Sequence, residues 1–97
     1  MKVRWTEEAL ADVEEAIDWL AARSPQAAAS LLDDVLETVQ RLGRRELEGP
    51  ETMLAHGEVV RSWPCPPMRV YYVRREGMCW VLRVYDQRRR PIERDRR

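Results

Sequence analysis

The sequence predicts an α+β domain in which a helical hairpin packs on one face of an antiparallel sheet, in the order β-α-α-β-β-β. Three observations predict it. Two apolar stripes of helical period lie in the first half and are separated only by Ser24-Pro25. After residue 57 the rhythm changes to the twofold alternation of strands. Two β-rich runs in the second half then meet through Glu76-Gly77, a hairpin signal.

Taken in order, Val3 and Trp5 alternate with Lys2 and Arg4, a short strand with one apolar face. Thr6 is placed to cap a helix, and Glu7 and Glu8 follow in the first turn, where the helix dipole favours carboxylates. Leu10, Val13, Ile17 and Leu20 form its expected buried stripe, and the helix ends near Arg23. Ser24-Pro25 restarts the chain as an N-cap followed by proline at the first helical position. Ala28, Leu31, Leu32, Val35, Val39 and Leu42 give a second stripe, with Gly43 at the C′ position. So short a link makes the two helices an antiparallel hairpin. Residues 44–57 show no period and read as a loop. Residues 58–63 form a strand candidate, which Pro64-Cys65-Pro66-Pro67 is expected to stop because proline donates no ladder hydrogen bond. The runs 68–75 and 78–85 are the closing strands, followed by a short extension and a frayed charged tail.

The 97 residues suffice for one core, and 44% apolar content can build it. The domain is expected over residues 1–91, with residues 92–97 a charged tail. No stretch is long and apolar enough to cross a bilayer, and the N-terminus carries no apolar signal segment. The expectation is a cytoplasmic protein without a membrane partner. Cys65 and Cys79 make neither a disulfide framework nor a metal quartet. His56 is the sole histidine and has no companions at ligand spacing, and no phosphate-cradling glycine loop is present. Neither metal nor cofactor is expected.

The zero net charge conceals an asymmetry. Residues 1–60 hold 13 acidic and 6 basic side chains, a balance of −7, and residues 61–97 hold 4 and 11, a balance of +7. Of the 17 basic residues 16 are arginine. Guanidinium groups grip carboxylates and phosphates in a fork, so the C-terminal third suggests an anionic partner on the open face of the sheet. The competing reading is that the two halves neutralise each other within the fold.

The segment "VRWTEEALADVEEAIDWLAARSPQAAASLLDDVLETVQRL" resembles the start of ParE-type proteins, and "MRVYYV" followed by "VLRVYDQRRRP" resembles the closing strands and arginine run of the RelE/ParE toxin superfamily. The likeness spans residues 2–91, and it is the ordered combination that is specific. It implies the toxin component of a type II toxin–antitoxin pair, a growth inhibitor of the plasmid-stabilization kind, neutralised by a ParD-like or RelB-like antitoxin. ParE-like members poison DNA gyrase, whereas RelE-like members cleave mRNA on the ribosome. Arg69 falls where RelE-type members place an arginine on the scissile phosphate. Arg88 is close to their second catalytic arginine, and Arg61 roughly matches a basic residue on the preceding strand. The sequence departs from that pattern in having no tyrosine after Tyr85 and in carrying Asp86 where many relatives have histidine.

Transesterification of RNA needs a base, an acid and cations around the phosphorane. Arg61, Arg69, Arg83 and Arg88 could supply only the cations, and Asp86 reads as an orienting partner for Arg88 or Arg89 rather than a catalyst. The resemblance therefore points to a non-enzymatic gyrase poison, with a ribosome-dependent endonuclease or a degenerate non-toxic relative as rivals. Its expected target contacts are Arg69, Arg83, Asp86, Arg88 and Arg89. Trp19 points roughly opposite the Leu10/Ile17 stripe, where it either packs under the 44–57 loop or contacts the antitoxin. Tyr71, Tyr72 and Trp80 are core residues or stacking platforms according to a hairpin register that the sequence leaves open.

Overall fold

In the computed structural model, residues 1–54 and 56–88 are described. Five strands and two helices follow in order: β1 (Lys2–Trp5), α1 (Glu7–Ala21), α2 (Pro25–Gly43), β2 (Glu51–Met53), β3 (Val59–Cys65), β4 (Met68–Arg75) and β5 (Met78–Asp86). They form one sheet in the order β1-β5-β4-β3-β2. Both helices lie on the same side of it, over a core built from Ala9, Leu31, Val35, Val39 and Leu42 of the helices and Val70, Tyr72, Cys79, Val81 and Val84 of the strands.

The sheet is mixed rather than antiparallel, because β1 runs parallel to β5, pairing Lys2 with Met78 and Trp5 with Val81. The helical hairpin returns the chain to the side from which it started, so β3, β4 and β5 can be added as a meander that ends beside β1 in the parallel sense. Both caps are as the sequence dictates: Thr6 Oγ1 accepts from Ala9 N at 3.0 Å and Ser24 Oγ from Ala27 N at 3.1 Å.

Several expectations change. Leu10 is 51% exposed and Leu32 36%; on α1 the buried Ala9 takes the place of Leu10, while Val13, Ile17 and Leu20 pack partly buried on the core as expected, joined by Ala16. The helix is rotated because Thr6 Oγ1 donates to Leu82 O at 2.8 Å and Asp12 faces β5, which fixes the side that meets the sheet. Gly43 is the last residue of α2, not C′. A Cβ there would meet Val3 Cγ2 at 2.7 Å, so the glycine admits β1 against the helix end. The C′ place goes to Arg45, φ 62°, with Glu46 N donating to Arg41 O and Arg45 N to Leu42 O. The stretch read as a loop contains β2, which is only three residues long and has too few alternations to announce itself. Strand β3 passes through Pro64 to Cys65. Ser62 N donates outward to Pro50 O, so the ring nitrogen of Pro64, two residues on, points to the same side, where β2 has already ended.

The hairpin turn is two residues, Glu76 at φ 55° and Gly77 at φ 75°, which settles the register with Arg75 across from Met78. A bulge in β5 beside Tyr71 and Tyr72 sets two residues of β5 against one of β4. Tyr72 therefore belongs to the helix-side core, while Tyr71 joins Val60 and Val73 on the other face. Arg89 and the tail at 92–97 lie outside the described residues.

Candidate functional site

The helix-free face is not lined by guanidinium groups. Its centre is a second apolar cluster, Val60, Tyr71 and Val73, with Leu54, Trp80, Leu82 and Tyr85 partly buried against it. Strand alternation explains part of this: Arg61 stands across from Tyr72 on the helix side, whereas Arg69 and Arg83 stand across from Tyr85 and Tyr71 on the helix-free side, around the apolar cluster.

Arg61 stands across from Tyr72, whose side chain lies in the helix-side core, and it donates to Gly49 O at 2.7 Å. Its Nη2 lies 3.5 Å from both Glu48 and Glu51. Arg61 and Arg69 are thus on opposite faces. Arg83 is taken by α1: its Nε and Nη2 donate to the two carboxylate oxygens of Asp12 at 2.8 and 2.9 Å. Asp12 also accepts from Val84 N at 2.9 Å, filling the edge of β5 where β1 has turned away into the helix. The hydrogen bonds from Arg83 to Asp12 are the leading cause that raises the pKa of Arg83 above its ordinary value. Its guanidinium also lies 4.5 Å from the Tyr85 ring. A cleft of about 450 Å³ opens along this seam, with Asp12, Glu15, Arg83 and Asp86 on its walls. Asp86 accepts from Arg88 N at 2.9 Å and from Arg88 Nε and Nη2 at 3.4 and 3.3 Å.

Arg69 is placed differently. Its Nε donates to Ser62 Oγ at 2.9 Å, and Ser62 is only 3% exposed. A second pocket of about 270 Å³ lies beside it, lined by Thr52, Leu54, Tyr71 and Gln87 among others. Tyr71 and Tyr85 meet edge to face with centroids 5.9 Å apart on the same surface. On α1, Trp19 is 38% exposed, with the Arg23 guanidinium 3.8 Å over its ring.

The sequence reading missed Asp12, Ser62, Gly49 and Glu48 as organising residues. Ser62 was findable, because it continues the Val60 alternation and so places a hydroxyl on an apolar face. Asp12 was hidden among the acidic residues of α1. Glu48 receives Arg74 Nη1 at 2.8 Å, and Arg74 Nη2 also donates to Leu42 O and Leu47 O, pinning the loop to the end of α2. The hydrogen bond from Arg74 chiefly holds the Glu48 carboxyl below its ordinary range. A carboxyl whose pKa is depressed on folding contributes stability above its unfolded pKa and loses it as the pH falls through the folded one. The urea midpoint of the native chain is therefore expected to exceed that of Glu48→Gln fully at neutral pH, with the gap closing below about pH 4.

Among the described residues no group of three or more His, Cys, Asp or Glu could hold a metal ion. Cys65 and Cys79 are buried and free, and burial pushes both thiols up, away from reactive thiolate. No helix among the described residues is long and apolar enough to cross a membrane.

The chain resembles a solved structure described as the chromosomal ParDE toxin–antitoxin system from P. aeruginosa, with a TM-score of 0.73 and 21% identity over 89% of this chain and 95% of that one. That likeness shows the fold. No curated protein matches the sequence. The family model for the ParE toxin of the parDE type II toxin–antitoxin system matches residues 3–91, which is nearly the whole length. The chain belongs to the ParE toxin family of type II toxin–antitoxin systems.

Proposed function

We propose that this chain is a growth-arresting toxin that acts by binding DNA gyrase rather than by cutting RNA, and that a ParD-like antitoxin holds it inactive in the cytoplasm. One observation carries the choice between the two chemistries. Stabilising a phosphorane takes several cations converging on one point, with an acid and a base in reach. Here Arg61 lies on the face opposite Arg69, Arg83 is matched to Asp12, and Asp86 is occupied by Arg88. That dispersal supports a protein that acts by docking. The acidic outer face of the helical hairpin leaves Leu10, Trp19, Leu32 and Leu36 exposed, which supports an antitoxin segment lying along it. Arg69, Arg83, Asp86, Arg88 and Arg89 remain the proposed target contacts.

Expression of the chain alone is expected to arrest growth, and co-expression of the neighbouring gene to restore it. Purified chain is expected to inhibit gyrase supercoiling while leaving mRNA intact in a translation extract. Codon-specific mRNA cuts with unaffected supercoiling would move the assignment to the endonuclease, and harmless expression alone would remove the toxin reading.

A further inference from the structure

Among the described residues five arginines are half-buried: Arg41, Arg61, Arg69, Arg74 and Arg83. Four have an internal carboxylate, Glu46 for Arg41, Glu48 and Glu51 for Arg61, Glu48 for Arg74 and Asp12 for Arg83. Among the described residues Arg69 has none. Its hydrogen bond there goes to the neutral hydroxyl of Ser62, which holds Nε and leaves both terminal nitrogens unmatched by any described residue. A cation withdrawn partly from water without a counter-charge is costly, and the fold matches the other four half-buried arginines of the described residues. Ser62 is buried, so this one contact aims the guanidinium into the pocket between β2, β4 and Gln87.

We infer that Arg69 is the anchor of a docking site for an acidic peptide segment, a carboxylate side chain flanked by apolar residues, on the helix-free face of the sheet. The two terminal nitrogens can grip one carboxylate in a fork. The surroundings select the flanks. Tyr85 is the cross-strand neighbour of Arg69, and Tyr71, Leu54 and Leu82 continue an apolar and aromatic surface away from it. The same surroundings disfavour free phosphate or a phosphomonoester, which is largely dianionic at neutral pH. Glu51 lies on the pocket wall, and its negative charge opposes a dianion more than a monoanion. The site adds a ligand chemistry to the toxin reading and rests on it only for the expectation that the partner is a protein.

The test is a selection from a display library of random dodecapeptides on the native chain, followed by titration of the selected peptides against variants. The native chain is expected to select peptides with an Asp or Glu between apolar residues, and changing that acid to its amide to weaken binding about tenfold or more. Arg69→Gln is expected to cost the same, and Arg69→Lys, which keeps the charge but not the fork, to give a partial loss. Ser62→Ala is expected to weaken binding with no change in charge, and thermal melts of each variant separate this from unfolding. Binders without an acidic residue, or binding indifferent to Arg69→Gln in a folded chain, overturn the inference. So does competition by inorganic phosphate or a single-stranded RNA at lower concentration than by acetate. A tenfold gain in peptide affinity on replacing Glu93 and Asp95 by their amides would assign the site to the chain's own C-terminal acids and also overturn it. Harmless expression alongside an intact peptide selection would remove the toxin reading and leave this site standing.

Discussion

Gly49→Ala is expected to lower stability by about 3 kcal/mol or more, the upper end of what overpacking costs. An added Cβ would lie 1.7 Å from Ser62 O and 2.7 Å from Ser62 C, both backbone atoms of β3, so no rotamer change relieves it. The glycine is also held from both sides. Its N–H donates to Tyr72 Oη at 2.8 Å, and its carbonyl accepts from Arg61 at 2.7 Å. Tyr72 is fully buried, so moving Gly49 leaves a phenolic oxygen and an amide unpaired next to the core. The requirement here is close approach of two backbones, not left-handed geometry. Gly57, at φ +96° with open space around it, makes the contrast. Gly57→Ala is expected to cost only about 1 kcal/mol through backbone strain. Urea midpoints of the two variants give the comparison. Equal midpoints would show that β3 and the 44–50 segment can separate freely.

Asp12→Ala is expected to cost about 2 kcal/mol, since it removes two charge-assisted hydrogen bonds to Arg83 and strands Val84 N. The figure is held down because Arg83 keeps 37% side-chain exposure and can be rehydrated, whereas the Asp12 side chain is only 13% exposed. Asp12→Asn keeps one acceptor but presents an amide donor to a guanidinium, so it should fall between. A double-mutant cycle with Arg83→Met tests the pairing itself. The double variant is expected to recover part of the single loss, with a coupling of about 1 kcal/mol or more. Strict additivity would mean that Asp12 acts only through Val84 and the β5 edge. The same variant reports on function, because Arg83 stands on the cleft between α1 and β5.

Much of the fold was legible locally. The caps at Thr6 and Ser24 follow from a hydroxyl preceding a helical stripe, and the Glu76-Gly77 turn from the left-handed geometry that a two-residue hairpin demands. These are short-range constraints, satisfied by neighbours in the chain. Strand β2 escaped because three residues carry no period, and Pro64 misled because its tolerance depends on which way one ring nitrogen points. Of the predicted α1 stripe Val13, Ile17 and Leu20 pack on the core, and only Leu10 gives way to Ala9. Periodicity fixes that a helix is amphipathic, but its rotation here is set by Thr6 and Asp12 gripping β5.

The candidate site divides the same way. Sequence alone supplied the acidic and basic halves, the arginine-rich closing strands, and the ordered pattern by which the chain resembles its family. Only the tertiary structure decided which guanidinium groups are spoken for. A strand sends alternate residues to opposite faces, and an ion pair such as Asp12 with Arg83 joins residues 71 apart, so the identity of a counter-ion is a property of packing. Composition counts charges; the fold pairs them, and here it leaves Arg69 alone among the half-buried arginines of the described residues without a carboxylate.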